Sequence, residues 1–175
     1  MTSLDLLPMS CKPAVLILLG AAWIAILSGT AGCASGGRAR SIDSLHVFTV
    51  PVALDLDGTP GPDAFGLTLY ASAASAARGV PVTTGSIEIQ MYDGTMAMEG
   101  TAGTPPLRVW TFNPADLKKI GVKTSLGTGY RFTLRWNESA PRQGHISVKA
   151  RYLSSRGTTI QSIPTVIAVP ATVGG

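Results

Sequence analysis

The sequence has few of the residues from which disulfides and common active sites are built. It contains two cysteines, Cys11 and Cys33, and two histidines, His46 and His145, in 175 residues. Cys11 precedes a long apolar run and Cys33 follows it, so the chain after Cys33 has no cysteine pair for a disulfide. The stability of that part must therefore come from a packed core alone.

Catalytic motifs are also absent from the sequence. The two histidines are far apart, and there is no Gly-x-Ser-x-Gly, His-Glu-x-x-His or phosphate-binding loop motif. A site assembled from distant strands would leave no such motif. We therefore expect a protein without catalytic activity and keep an enzyme with a dispersed site as the alternative.

The sequence does have an uncharged apolar run from Pro13 to Ser28, dominated by Leu, Ile, Val and Ala. Lys12 precedes the run, and small residues up to Gly32 follow it. A basic residue, an apolar core and a small-residue cleavage region are the pattern of a secretory signal.

The end of this run, Thr30-Ala31-Gly32-Cys33, resembles the lipobox of bacterial lipoproteins, although Leu is usual at the position of Thr30. The resemblance implies that the Cys33 thiol receives a diacylglycerol, that the signal is cut before it, and that the new amino terminus is acylated. Paired acyl chains hold a protein firmly on a membrane. Two alternatives are an uncleaved helix, since the run approaches the roughly 20 residues that span a bilayer, and a plain cleaved signal.

These features predict four segments in the chain. They are a signal peptide at 1–32, the lipidated Cys33 with a Gly/Ser-rich flexible tether at 33–44, one domain at 45–170, and a tail at 171–175. Ala34 follows the cysteine, whereas in the lipoproteins that the chain resembles an Asp there favours the inner membrane. The resemblance therefore implies an outer-membrane location, facing the periplasm or the outside.

Short runs of alternating apolar and polar residues, separated by Gly and Pro, follow the tether. The runs are His46–Leu56, Phe65–Ala71, Ile87–Met91, Leu107–Phe112, Tyr130–Trp136, Ile146–Tyr152 and Thr158–Val169. This pattern predicts an all-β domain, a single Ig-like antiparallel β-sandwich of about seven strands. In the first run we expect His46 and Phe48 on the apolar face, and Pro164 makes the last run an edge strand.

One short helix is expected between the fourth and fifth runs. Asn113 is a suitable N-cap, Pro114 fits the first helical position, and Asp116 suits the positive end of the helix dipole. About two turns then bring Leu117 toward the core before Gly121 ends the helix.

The strand faces also predict the centre of the core. It should consist of Trp110, Phe132, Leu134, Trp136, Ile146 and Val148. The segment Gly127-Thr128-Gly129-Tyr130 resembles a tyrosine corner, in which a Tyr hydroxyl bonds to nearby backbone.

Three segments together are similar to a group of uncharacterised bacterial envelope lipoproteins. They are PLRVWTFNPADLKKI, LGTGYRFTLRW and HISVKARYLSSRGTTIQSIPTVIAV. The resemblance implies an Ig-like β-sandwich and an envelope location. It implies no activity and no catalytic residues.

The loop from Asp55 to Asp63 is the strongest candidate for a metal site. Asp55, Asp57 and Gly58 resemble the start of a calcium loop, but the twelfth position, where an EF-hand has Glu, is Gly66. The alternative is a polar turn in which the Asp side chains cap backbone N–H groups. We expect no metal and no cofactor apart from the lipid on Cys33, with calcium at Asp55, Asp57 and Asp63 as the weaker alternative.

Thioether ligands for Cu(I) are a further, weaker possibility. Met91, Met96 and Met98 are close in the sequence. Met91 falls on the apolar face of its run, however, where packing in the core explains it equally well.

Four basic residues alternate with apolar ones on two consecutive runs. They are Arg131, Arg135, Lys149 and Arg151. If the two runs pair as a hairpin, all four project from one sheet face and form an anion-binding surface. The alternative is an ordinary solvated face.

The sequence thus predicts a lipid-anchored binding or assembly module of the cell envelope without catalytic activity. Its partners would be the membrane, through the lipid anchor, and an envelope protein or anionic polymer, but not nucleic acid, which is not expected outside the cytoplasm. The alternative is an envelope enzyme or a calcium-dependent module that uses the Asp55–Asp63 loop.

Overall fold

Two antiparallel sheets face each other across a shared apolar core in the computed structural model of the protein, which describes residues 41–96 and 104–171. The described residues form β1 Ser44–Thr49, β2 Ala64–Ser72, β3 Ser86–Asp93, β4 Arg108–Phe112, α1 Pro114–Ile120, β5 Gly121–Thr124, β6 Gly127–Arg135, β7 His145–Leu153, β8 Thr159–Gln161 and β9 Thr165–Ala168. The first sheet has the order β1-β2-β6-β5 and the second β4-β3-β7-β8, with β9 also paired to β7.

The all-β prediction is confirmed, and the described part of the chain contains nine strands rather than about seven. The last predicted run is divided into β8 and β9, and β5 is an additional strand. Cys33 and the predicted signal peptide lie outside the described residues. No helix within the described ranges is long and apolar enough to cross a membrane.

Alternation along the strands places the apolar side chains between the sheets. In β2, Phe65 and Leu69 are fully buried, and Leu67 lies opposite Phe132 of β6. Successive side chains of a strand point to opposite faces, so the alternating residues of β2 and β6 line one inner surface. The facing surface of the second sheet carries the alternating apolar residues of β3, among them the fully buried Ile89.

Aromatic rings join the two sheets. The ring of Phe65 lies 5.6 Å from that of Trp110 and 6.5 Å from that of Trp136, and the rings of Phe112 and Phe132 are 4.7 Å apart. Such pairs stabilise a core beyond their buried area. The predicted core is confirmed, except that Trp110 is only half-buried.

The face assignment of β1 is wrong. Leu45 is buried and Val47 half-buried, whereas His46 and Phe48 point outward and 57% of Phe48 is exposed. The outward ring of Phe48 packs edge-on against Tyr70 at 5.9 Å. Both faces of this strand carry apolar residues, and a shift of one residue exchanges the faces.

The last run lies at the edge of the second sheet only in part, because Ala168 of β9 also bonds to the backbone of Pro51 and Ala53. β8 and β9 lie one after the other along the same side of β7. Pro164, between them, cannot donate a hydrogen bond to the ladder. Two residues earlier, the Ser162 hydroxyl accepts the N–H of Ala150 at 3.0 Å. A side chain thus replaces a backbone acceptor where the edge is interrupted.

Helix α1 begins where the sequence predicts. The Asn113 side chain accepts the N–H groups of Ala115 and Asp116 at 2.8 and 3.1 Å, and the Asp116 carboxylate accepts the Asn113 N–H, which completes a capping box. Leu117 is fully buried. Gly121 ends the helix with a φ of −72°, in an extended rather than a left-handed conformation, so α1 continues directly into β5.

The hairpin expected between β6 and β7 is wrong, because the two strands lie in different sheets. β6 is paired with β2 and β5, and β7 is paired with β3 on one side and with β8 and β9 on the other. Neither strand has a free edge for the other. The four basic residues therefore do not share a face: Arg131 and Arg135 belong to the first sheet, Lys149 and Arg151 to the second.

The strand registers define two opposite ends of the domain. One end is marked by the pair Ser44 and Ser72 in the first sheet and by the pair Ser86 and Leu153 in the second. The tether end, as we call it, includes Ser41 and Asp43, the connections 73–85 and 154–158, helix α1, and β5 with its turn 125–126. The far end includes the loop 54–63, Asp93 and the connection 136–144.

Candidate functional site

The two predicted basic residues on β6 have different environments. Both are exposed on the outer face of the first sheet. Arg135 pairs with Asp63 at 3.5 Å and donates to the Leu56 carbonyl at 3.2 Å, while the Asp63 carboxylate also accepts the Leu56 N–H at 2.8 Å. Arg135 therefore holds the far-end loop in place, and Arg131 makes no ion pair with any described residue.

The other two predicted basic residues belong to a polar network on the outer face of the second sheet. Arg151 pairs with Glu88 at 3.4 Å, and only 5% of Lys149 is exposed. The Lys149 ammonium lies 5.6 Å from the centre of the Tyr92 ring, and the Tyr92 hydroxyl donates to Gln90 at 2.8 Å. These contacts tie the cations to their own sheet rather than presenting them to a ligand.

Burial changes the acid–base behaviour of this network. It lowers the pKa of Lys149 from its ordinary value of 10.5, and the nearby Arg151 charge lowers it further. Burial also raises the pKa of Tyr92 above 10.0, which keeps the phenol neutral. No sequence pattern indicated Tyr92 or Gln90, since each looks like an ordinary strand residue.

The Asp55–Asp63 loop has the geometry of a capped turn. Asp55 accepts the Gly58 N–H at 3.2 Å, and one Asp57 oxygen accepts both the N–H and the hydroxyl of Thr59, the N–H at 2.9 Å. The hydrogen bond from the Thr59 hydroxyl lowers the pKa of Asp57. The predicted capping is confirmed, and calcium binding stays the weaker alternative, which is still to be tested.

The remaining candidate ligands are dispersed. Met91 is fully buried in the core and Met96 half-buried, while Met98 lies outside the described residues. His46 and His145 are exposed at different strands. Within 41–96 and 104–171, no three His, Cys, Asp or Glu side chains are grouped so that they could hold a metal ion.

The tether end carries basic residues that no sequence pattern indicated. Arg78 is in the β2–β3 connection, Lys118 on α1, Lys123 on β5 and Arg156 in the β7–β8 turn, and all four are exposed. No ion pair among the described residues involves any of them. Their positions in four separate segments explain why no sequence pattern indicated the cluster.

Two adjoining depressions connect three of these cations. One, of about 580 Å³, is lined by Lys118, Lys123 and apolar side chains that include Pro81 and Leu117. The other, of about 630 Å³, is lined by Arg78, Lys123 and small residues. Neither lining contains an Asp or Glu, and apolar depressions with a few convergent polar groups are typical of binding sites.

Tyr130 holds the wall of the first depression. Its buried hydroxyl accepts the Val82 N–H at 2.7 Å, and burial raises the pKa of Tyr130 above 10.0. Val82 lies 48 residues earlier in the chain. The tyrosine-corner resemblance implied a bond to backbone close by in the sequence, and this prediction is therefore wrong. Tyr130 instead fixes the β2–β3 connection.

The turn between β5 and β6 is fastened to the same connection. Gly79 donates to the Leu126 carbonyl at 2.8 Å, and Thr128 donates to the Gly79 carbonyl at 3.0 Å. Gly127, with a φ of +109°, has no room for a side chain, because a Cβ would lie 2.4 Å from the Gly79 oxygen. Leu126 in this turn is 59% exposed and lines a depression together with Arg78.

Comparisons with known proteins add little to this geometry. No family model and no curated protein matches the chain. Among solved structures, the chain is similar to a polysaccharide deacetylase from Bacillus cereus, with a TM-score of 0.37 and 8% sequence identity. The match covers 72% of this chain and 30% of that structure, so the chain spans less than a third of its length.

Proposed function

We propose that this protein is a lipid-anchored, non-catalytic binding module of the bacterial cell envelope, held in the outer membrane by acyl chains on Cys33, and that its partner is anionic. One observation carries the proposal. The exposed cations Arg78, Lys118, Lys123 and Arg156 gather at the tether end, where the chain coming from Cys33 joins the domain.

We also propose that the domain is Ig-like. The order β1-β2-β6-β5 corresponds to the A-B-E-D sheet of that fold. The order β4-β3-β7 corresponds to C′-C-F, and β8 and β9 together take the place of strand G. Domains of this architecture serve many functions, so the fold agrees with a binding role without specifying the ligand.

The alternative is an envelope enzyme or a calcium-dependent module built on the Asp55–Asp63 loop. It has less support, because the carboxylates of this loop already accept hydrogen bonds from its own backbone and Asp63 also pairs with Arg135. Lys149 and Arg151 form another polar cluster in the described residues. Lys149 contacts Tyr92 and Arg151 pairs with Glu88.

The anchor is tested by mass spectrometry of the native protein and by a Cys33→Ser variant. We expect a mature chain that begins at an acylated Cys33, and a variant that loses this modification. An unmodified Cys33 in a chain that keeps its apolar segment would contradict the proposal and favour an uncleaved helix.

A further inference from the structure

We propose that the tether end is a membrane-docking surface: its cations contact anionic lipid headgroups while Leu126 enters the boundary between headgroups and acyl chains. This inference rests on the proposed lipid anchor at Cys33. It specifies which surface of the domain faces the bilayer and names anionic phospholipid as the partner.

Charge separation between the two ends is the first argument. Five basic residues, Arg78, Lys118, Lys119, Lys123 and Arg156, lie at the tether end with two acidic ones, Asp43 and Asp116. Both acids are already engaged, since Asp43 accepts the Ala74 N–H and Asp116 caps α1 and pairs with Lys119. The far end has the opposite excess, with Asp55, Asp57, Asp63, Asp93 and Glu138 against Arg108, Arg135 and Arg142.

The position of an exposed apolar side chain is the second argument. Leu126 is 59% exposed at the tip of the β5–β6 turn and is held outward by the bonds of that turn to Gly79. Arg78 lines the same depression as Leu126, and an exposed apolar side chain beside a basic one is typical of surfaces that bind at a membrane interface. The apolar linings beside Lys118 and Lys123 extend this surface.

The length of the tether is the third argument. Ser41 is eight positions after Cys33, and a fully extended chain spans at most about 3.6 Å per residue, so the tether reaches about 30 Å at most. A lipid on Cys33 therefore keeps the tether end close to the bilayer. Arg38 and Arg40 in the tether add two positive charges next to the anchor, and basic residues beside an anchor bind anionic lipid.

Quenching of tryptophan fluorescence by brominated acyl chains tests the proposal on the full-length, lipidated protein. Leu126→Trp places a reporter at the tether end, and Leu56→Trp places a matched reporter at the far end, where the native side chain is 43% exposed. Both variants keep the native tryptophans as a common background. The vesicles are brominated phosphatidylcholine with or without phosphatidylglycerol.

We expect strong quenching of Leu126→Trp and little of Leu56→Trp in vesicles with phosphatidylglycerol. Quenching should weaken in about 1 M salt, where the Debye length falls to about 3 Å. Adding Arg78→Ser and Lys118→Ser to the reporter should lower the ratio of docked to undocked protein about 30-fold, since each basic residue near an anionic surface contributes about 1 kcal/mol.

The matched control is the pair Arg131→Ser and Arg142→Ser, which removes equal charge from exposed positions outside the tether end. It should leave quenching of Leu126→Trp nearly unchanged. Equal quenching of the two reporters, or equal effects of the two charge pairs, would overturn the proposal. An acylated protein with an undocked domain would refute this inference alone, whereas an unmodified Cys33 would refute the proposed function itself.

Discussion

The two ends of the domain use their charged residues differently. At the far end, Asp63 accepts the Leu56 N–H and pairs with Arg135, and Asp93 accepts the N–H groups of Arg142 and Gln143. At the tether end, four cations have no acidic partner among the described residues: Arg78, Lys118, Lys123 and Arg156. Acidic side chains hold backbone in place at both ends, and the difference lies in these four cations, which are exposed and make no ion pair with a described residue.

The largest effect should come from the aromatic cluster that supports the far end. Phe65 is fully buried and contacts the rings of Trp110 and Trp136. Phe65→Ala should lower the free energy of unfolding by about 3–5 kcal/mol, measured in denaturant melts. Leu126→Ala, at the exposed tether-end turn, is the control and should change it by about 0.5 kcal/mol or less. Similar losses in both variants would remove the distinction between a structural and a binding end.

At the tether end, the buried hydroxyl of Tyr130 holds the β2–β3 connection through the Val82 N–H. Tyr130→Phe leaves the buried Val82 N–H without its acceptor, which should cost about 1–3 kcal/mol. Tyr70→Phe removes a longer and less buried hydroxyl contact, 3.3 Å to Thr124, and should cost less. Equal losses would mean that Tyr130 does not hold the connection.

Helix α1 was predictable because its signals are local. Asn113, Pro114 and Asp116 specify the start of the helix within four residues, and the structure uses all three. Strands were found by their alternation, but the choice of face on β1 failed, since Val47 and Phe48 are both apolar. In the fold Val47 packs against the core, while the Phe48 ring packs outside on Tyr70.

The candidate site was not predictable, because it depends on distant strand pairing. The sequence favoured β6 with β7, whereas β6 lies between β2 and β5. This pairing separates Arg131 from Lys149 and assigns them to different sheets. It also brings Arg78 and Lys123 to one depression although they are 45 positions apart in the chain.

Alkaline titration should reveal the buried phenol at the tether end. Because burial raises the pKa of Tyr130 above its ordinary 10.0, the unfolded chain loses this proton at a lower pH than the folded one. The stability contributed by this phenol is therefore complete below pH 10 and falls as the pH rises through the folded-state pKa. Tyr130→Phe lacks this contribution, so its free energy of unfolding should decline less steeply above pH 10. The lowered pKa of Lys149 acts in the opposite direction but is present in both proteins, and parallel curves would contradict the assignment.

The smallest effect is expected at the acidic loop of the far end. If Asp55, Asp57 and Asp63 only cap the loop, calcium should leave the melting temperature unchanged, since a ligand stabilises a protein only by binding its folded state. Thermal melts with calcium or with chelator measure this. A clear rise that Asp57→Asn abolishes would make the far end a binding site as well.

Hydrogen exchange of the full-length protein on vesicles tests the difference between the ends most directly. Backbone amides in 73–81 and 124–128 should exchange more slowly when phosphatidylglycerol is present than on phosphatidylcholine alone, and amides in 55–63 and 137–144 should not change. Protection of the far-end segments, or identical exchange at both ends on the two kinds of vesicle, would contradict a basic tether end that faces the membrane.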